Sequence, residues 1–327
     1  MVSIAGNKNL ITKDRLQVGM SHSNPEPVII QSPRGGPLSA AFIGCGGTGC
    51  NILAEGELPA EGIRIAISSE PDTMASLKAG KRMVASAREL ESNALISAKA
   101  LRLAGSEFEK ELAVALEGSD IAFMLAGLGG LSGGWGAVVG ARAASVSRGM
   151  GFCVASIPFS VEGGTRKDRA AAQLRALMQV ADATLVIPND MILAEAPNIP
   201  INRAFRVMNS VLASPVSLLL KSVGKDDIGQ VRALLSAGKV LAMDSAEWDR
   251  ENAEFAVAEL LGKSRWLDLK SRQAKSAILF VEGRGLYDDL MELGKSFSRV
   301  TGNGCPLIVA SAGERKAGLR VTAVVGF

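Results

Sequence analysis

Apolar positions along the chain fall into short uncharged runs separated by longer stretches rich in Ala, Lys, Arg and Glu. Ser39–Gly44, Ile63–Ser68, Ile121–Ala126, Gly151–Ile157 and Thr184–Ile187 have strand length and end at Gly, Pro or Ser. Ile121–Ala126 is apolar on both faces, as a parallel central strand is. Between these runs, Asn51–Glu57, Pro71–Lys110 (broken at Gly80 and Gly105), Ala137–Arg148 and Thr165–Val180 predict helices. The alternation predicts an α/β protein with a doubly wound, mostly parallel sheet, in which ligands bind outside the carboxyl ends of the strands. Arg203–Val223 predicts one long central helix, interrupted only by Pro215. Beyond it, helices near Val231–Ala237 and Arg250–Leu261 and strands at Ala277–Val281, Leu307–Ser311 and Leu319–Val325 predict a second, smaller α+β domain. The polar start, punctuated by Pro25, Pro27, Pro33 and Pro37, reads as a loosely held arm. The expected organisation is an arm over 1–36, a sheet domain over 37–202, a central helix over 203–223 and a C-terminal domain over 224–327.

Composition narrows the class. A chain of 327 residues, 47% hydrophobic and 21% charged, has material for one large or two medium domains and is not a disordered one. With 4% aromatics, its core is built from Ala, Val, Leu and Ile. A net charge of +3 without a long basic run argues against a nucleic-acid partner. Cys45, Cys50, Cys153 and Cys305 form no CxxC pair, and His22 is the only histidine. Common Cys/His metal sites and His-based catalysis are thereby excluded, and reduced thiols in the cytoplasm are the expectation. The opening residues lack the apolar core of a signal peptide. Ile121–Ala141 carries no charge and is long enough to span a bilayer, but the glycines of 130–134 make a poor helix centre. A buried strand, a Gly-rich loop and a helix start account for it better, so no transmembrane segment is expected.

Two loops carry candidate chemistry. Gly44-Cys45-Gly46-Gly47-Thr48-Gly49-Cys50-Asn51 follows a strand and opens a helix. Glycines there let a phosphate approach the backbone, and a helix start offers unpaired N–H groups. Gly44, Gly46 and Gly49 also satisfy GxGxxG, with Glu70 placed as a ribose acid, so an NAD(P)-dependent oxidoreductase competes. Against it, no histidine, Tyr–Lys or cysteine pair is available, Tyr287 being the sole tyrosine. A tight strand-to-helix turn that binds nothing is the plainer alternative. The second loop, Gly127 to Gly136, also lies between strand and helix. Two such loops in one sheet suit a single nucleotide held from two sides.

The motifs IGCGGTGCN, GLGGLSGGWG, IPFSVEGGTR, LVIPNDMIL and AFRVMNSVL occur in that order. On these motifs the chain, from about Ala40 to Phe327, resembles the FtsZ/tubulin superfamily. The resemblance implies a tubulin/FtsZ-like GTPase domain binding GTP or GDP, with Mg2+ as the accompanying ion. It implies that Gly44, Gly46, Gly47, Thr48, Gly49 and Asn51 surround the nucleotide. Gly129, Gly130, Leu131, Ser132, Gly133 and Gly134 would hold its phosphates. Glu162 and Arg166 would meet ribose and phosphate, Asn189 would bond the base, Phe205 would pack on it, and Asn209, one turn on, would also bind the nucleotide. For Phe205, burial in the core is an equal alternative.

The departures from the family pattern shape the expected activity. Leu131 and Trp135 replace glycines, which restricts backbone approach, and Trp135 is expected to narrow the phosphate pocket. Ser210 replaces the base-specifying acid, weakening guanine preference. The family's NxDxxD loop, which reaches the next subunit's nucleotide, here has Lys225, Asp227 and Gln230. Asp227 and Gln230 are the candidate catalytic residues; Gln230 can orient water but is no carboxylate base. Hydrolysis is therefore expected to be slow or absent, and enzyme status stays open. The expected assembly is a head-to-tail filament of identical subunits, an open heterologous contact. It would serve cell division, cell shape or membrane remodelling in a prokaryote. The alternative is a non-catalytic paralogue that regulates an ordinary FtsZ. The chain stops where the family's core ends, so a membrane link is expected to use the N-terminal arm, the folded surface or a partner such as a membrane-associated adaptor.

Overall fold

Among the described residues, eleven strands form one sheet in the computed structural model, which describes residues 26–75, 77, 80–86, 106–191, 200–248, 253–264, 267, 272–301, 304–315 and 318–327. The strands are β1 Val28–Ile30, β2 Ala40–Cys45, β3 Ile63–Ser68, β4 Lys81–Val84, β5 Ile121–Gly127, β6 Met150–Ile157, β7 Ala183–Pro188, β8 Val240–Trp248, β9 Ser276–Glu282, β10 Leu307–Ser311 and β11 Leu319–Gly326. Their spatial order is β1-β10-β9-β11-β8-β7-β6-β5-β2-β3-β4. Every neighbouring pair is parallel except those of β11, which runs antiparallel to β8 and β9. The two halves of the sheet join through a short β7–β8 pairing, Thr184 with Val240 and Leu185 with Leu241.

The helices are α1 Gly46–Glu55, α2 Pro71–Ala75, α3 Glu107–Ala115, α4 Leu131–Val146, α5 Gly164–Val180, α6 Ile201–Ser222, α7 Ile228–Gly238, α8 Ala253–Lys263 and α9 Tyr287–Thr301. One face of the first half-sheet packs on α3, α4 and α5, and the other on α1 and α6. The C-terminal half has its own core with α8 and α9. Phe42, Phe123 and Phe152 are register partners on β2, β5 and β6. Their rings contact in series at centroid distances of 5.9 and 5.8 Å, a cross-strand aromatic row. Opposite them, α4 lies close on the sheet because it is built from small residues. A Cβ at Gly140 would stand 2.8 Å from Met124 Cγ.

The α/β architecture is as the periodicity predicts, and the five predicted N-terminal strands are present. Ile121–Ala141 resolves into β5, a turn and α4, and no helix among the described residues is long and apolar enough to cross a membrane. Several boundaries differ. Helix α4 begins at Leu131 rather than Ala137, so most of the second glycine segment is helix. Helix α1 likewise starts at Gly46 rather than Asn51. The segment expected to be helical from Pro71 holds the edge strand β4, paired with β3. Its part over 87–105, with Gly105, lies outside the described residues, as do residues 1–25, with His22, and Arg250. The arm is not loose over its described length: Val28–Ile30 pairs with β10, and Pro27 lies against Gly294 of α9. Strand β8 and helix α9 are further elements that apolar runs alone did not reveal.

Candidate functional site

Loops following β2 and β5 meet at the carboxyl edge of the sheet. Gly46 has φ +66°, and a Cβ there would stand 2.8 Å from Gly133 N and 2.9 Å from Gly133 Cα. Only glycine serves at this crossing, since an L side chain would be strained and would also strike backbone. Gly49 packs its Cα against the Leu125 carbonyl of β5, and Gly127 faces the Thr48 side chain. These glycines fit the two loops to each other. Gly47 and Gly130 differ: a Cβ on Gly130 would meet nothing within 4 Å, and one on Gly47 only Thr73 Cγ2 at 4.0 Å. Their backbone forms the open surface of the cradle.

Helices α1, α4 and α5 all start at this edge, preceded by Cys45, Gly130 and Gly163. None of the three has a side-chain cap hydrogen bond or an acidic residue in its first turn. Their leading N–H groups and positive dipole ends are thus left for an anion. Ser132 is half-buried where the two loops cross, and Leu131 beside it is exposed.

A residue that sequence reasoning passed over fixes the second loop. Gln173 of α5 is 1% exposed. It accepts from Gly129 N–H at 2.7 Å and donates through Nε2 to the Gly130 carbonyl at 2.7 Å. Arg169, one turn earlier, donates to the Gly129 carbonyl at 3.1 Å. Gly129 holds φ +89° between these contacts. The available signal was a lone Gln within the Ala/Leu face of an otherwise charged helix.

The side walls come from the ends of β6 and β7. Glu162 Oε1 accepts from Phe159 N–H at 2.7 Å, and its other oxygen pairs with Arg166, so this predicted contact pair is mutually satisfied. Asp190 accepts from both Ser160 Oγ, at 2.5 Å, and Ser160 N–H, at 2.9 Å. These bonds, the hydroxyl's first, hold its carboxyl below the ordinary carboxylate value. Asn189 N–H donates to the Ile157 carbonyl at 3.0 Å. Asn189 Oδ1 is buried and has no hydrogen-bond partner among the described residues, which fits an acceptor kept for a ligand donor.

On α6, Phe205 is 52% exposed and touches Phe159 edge-on at 6.3 Å. It is an open aromatic face at the mouth of the site and not a core residue. Asn209 is buried, and its Nδ2 donates to Glu55 Oε2 at 3.4 Å at the end of α1. Asn51 is exposed. Ser210 instead lines a groove of about 1270 Å³ between α6 and the Glu57–Ile63 stretch. Trp135 does not narrow the cradle: it is 6% exposed and packs edge-on against Phe108 at 4.9 Å. With α4 starting at Leu131, Trp135 falls on the buried side of its second turn.

Asp227 and Gln230 stand elsewhere. Their loop lies at the amino ends of β2 and β5: Gly224 bridges to Pro37, and Lys225 approaches Asp120 at 4.0 Å. Asp227 is 0% exposed and receives Arg34 N–H at 3.0 Å, Arg34 Nε at 2.7 Å and Gly224 N–H at 3.2 Å. Burial pushes its carboxyl up, but the Arg34 and Gly224 hydrogen bonds and the guanidinium charge outweigh burial and hold it below the ordinary range. Gln230 is exposed. Among the described residues, no cluster of His, Cys, Asp and Glu could hold a metal ion without a ligand's help.

The chain resembles known proteins in sequence and fold. The family model described as "Tubulin/FtsZ family, GTPase domain" matches residues 39–197. "Cell division protein FtsZ 1" of Archaeoglobus fulgidus is 31% identical over 284 residues, covering 83% of this chain and 76% of its own length. The protein of the same name from Pyrococcus abyssi is 32% identical over 250 residues, covering 74% of this chain and 67% of its own. A point mutant of FtsZ from M. jannaschii superposes with a TM-score of 0.73 at 26% identity, over 89% of this chain and 91% of that one. CetZ2 from Haloferax volcanii, solved as a GTPγS-bound protofilament, shares the fold with a TM-score of 0.63 at 18% identity, over 88% and 92% of the two chains.

Proposed function

Because the chain belongs to the Tubulin/FtsZ family, we propose that it binds GTP or GDP in the glycine cradle and stacks head to tail into filaments. One observation carries the binding half. Two interlocked glycine loops present bare helix N-termini, and Phe205 and the unpartnered Asn189 Oδ1 stand beside them. Phosphates would lie over Gly47, Gly130 and the start of α5, and the base between Asn189 and Phe205. Mg2+ would arrive with the phosphates, as no cluster among the described residues would hold it alone. The family assignment displaces the oxidoreductase alternative.

The assembly half rests on polarity. The cradle is at the carboxyl edge, and the 224–230 loop is at the amino edge. Helix α6 runs from the first toward the second, with Phe205 near its start and Ser222 at its end. A translated copy would bring one subunit's loop over the next subunit's cradle, a heterologous contact that propagates. Hydrolysis is slow or absent on this reading, because Asp227 is committed to Arg34 and Gln230 is not a base at neutral pH. The protein would act in the cytoplasm in division, shape control or membrane remodelling, reaching a membrane through a partner. The sequestered Asp227 also favours a second reading, a paralogue that co-assembles with and regulates an ordinary FtsZ.

The test is nucleotide identity and fate. Nucleotide released from purified protein is separated by chromatography, and phosphate release and sedimentation are then followed after adding GTP. Guanine nucleotide with GTP-dependent pelleting and little phosphate is the expected result. Turnover like that of an ordinary FtsZ would remove the slow-hydrolysis reading. Pelleting only when an ordinary FtsZ is added would select the regulatory one.

A further inference from the structure

The amino edge carries a feature that the cradle does not explain. Residues 34–36 of the arm lie across the loop after α6: Asp226 N–H donates to the Arg34 carbonyl at 3.2 Å, and Lys225 N–H to the Gly36 carbonyl at 3.2 Å. Gly35 and Gly36 have φ +75° and +87°, which turns the arm tightly here. A Cβ on Gly35 would stand 2.9 Å from Asp226 N, so the arm and loop are fitted backbone to backbone. Through this contact Arg34 is delivered onto Asp227, with Nη2 at 2.6 Å from the carboxylate. The guanidinium is held firmly, yet its side chain is 64% exposed.

A guanidinium offers five donors, and the two seen on Asp227 leave the rest of the fork to solvent. Lys225 is exposed on the same loop. Asp227, which would cancel this charge for a visiting anion, is buried behind the guanidinium and not beside its free edge. Asp226 is exposed, and Asp120, which accepts from Ser39 N–H and lies near Lys225, is partly exposed, so the surface is mixed; the group both tied to Asp227 and turned furthest outward is the Arg34 guanidinium. Fixed, partly exposed arginines suit phosphate oxygens because their donors need no further ordering.

We propose that Arg34, steadied by Asp227 and assisted by Lys225, contacts the terminal phosphate of the nucleotide held by the adjacent copy. This rests on the head-to-tail reading given above. It makes the junction sense a third phosphate by attraction to a cation carried on the N-terminal arm. A diphosphate ends short of that cation, so assembly follows the triphosphate state even where hydrolysis is slow.

The experiment compares sedimentation of the full chain with GTP and with GDP, for the wild type, Arg34→Ala, Arg34→Lys and Lys225→Ala. Nucleotide binding is measured in parallel on dilute, unassembled protein. The wild type is expected to need on the order of tenfold less protein to assemble with GTP than with GDP, the scale of one charge-assisted hydrogen bond. Arg34→Ala should bring that ratio close to one while dilute protein binds GTP as before. Arg34→Lys should keep part of the ratio, and Lys225→Ala should lower it least. If Arg34→Ala proves misfolded, Arg34→Lys decides, because it keeps a cation on Asp227; a full wild-type ratio in that variant and in Lys225→Ala overturns the proposal. A folded Arg34→Ala with the wild-type ratio also overturns it and leaves head-to-tail assembly standing. A wild type that binds GTP but never sediments removes the assembly reading itself, and this proposal with it.

Discussion

The two edges of the sheet are built from opposite materials. At the carboxyl edge, backbone does the work: glycines bring two loops together, three helices present uncapped starts, and Gln173 ties the second loop down through main-chain groups. At the amino edge, side-chain charge does the work: Arg34, Asp227, Lys225 and Asp120 cluster where the arm crosses the loop. Where its two loops cross, at Gly46 and Gly49, the first edge has no room for an added atom, whereas the second depends on charge and therefore on pH and salt. The difference teaches that one chain can hold a rigid receptor at one end and a tunable contact at the other.

The largest effect should come from filling the carboxyl edge. Gly49→Val would drive a side chain into the Leu125 carbonyl of β5, costing about 3 kcal/mol of stability and abolishing nucleotide binding. A thermal melt and a fluorescent-nucleotide titration check this. Gln173→Ala should come next. It leaves Gly129 N–H and the Gly130 carbonyl without their partner, for about 2 kcal/mol, and loosens the cradle. Weaker GTP binding with an intact circular-dichroism spectrum is the expected pair of results.

Acid titration sharpens the contrast at the other edge. The folded Asp227 carboxyl is lowered from 3.8, so between the two values the unfolded chain binds the extra proton. Its contribution is complete above about pH 4 and is lost as pH falls through the lowered folded value. Arg34→Ala removes the partner that lowers it, so acid unfolding should begin at a higher pH than in the wild type, read by far-UV circular dichroism. The smallest change in stability belongs to Phe205→Ala. The ring is 52% exposed, so melting should move within about 0.5 kcal/mol. Nucleotide affinity should still fall about tenfold, the scale of one lost base–aromatic stack.

Much of the fold was legible because a buried parallel strand is simply an uncharged run, as in IAFMLA and GFCVASI. Strand β8 was hidden because charge interrupts both of its faces: in VLAMDSAEW, Asp244 shares a face with buried Trp248, and Glu247 shares the other with buried Leu241 and Met243. Strand β4, KRMV, is a short charged edge that no apolar count finds. The glycine loops were legible as motifs, but their division of labour was not. Gly46 and Gly49 serve contact and Gly47 and Gly130 serve openness, a distinction set by neighbours far along the chain. Trp135 was misplaced for a related reason, since the side it faces follows from where α4 begins. Gln173 and Arg34 act across long stretches of sequence, on Gly129 and Asp227, and nothing local to either marks them.

Strand β1 brings a consequence of timing. Val28 pairs with Ile308, so one of the first described segments to leave the ribosome must wait for one of the last before it can fasten. Pairings between such distant segments form slowly and late. The arm that carries Arg34 is therefore secured on both sides of that residue only after β10 has joined the sheet. A truncated or half-folded chain would lack that buckle, so its amino edge would stay unset, and incomplete copies would be poor at joining an assembly of finished ones.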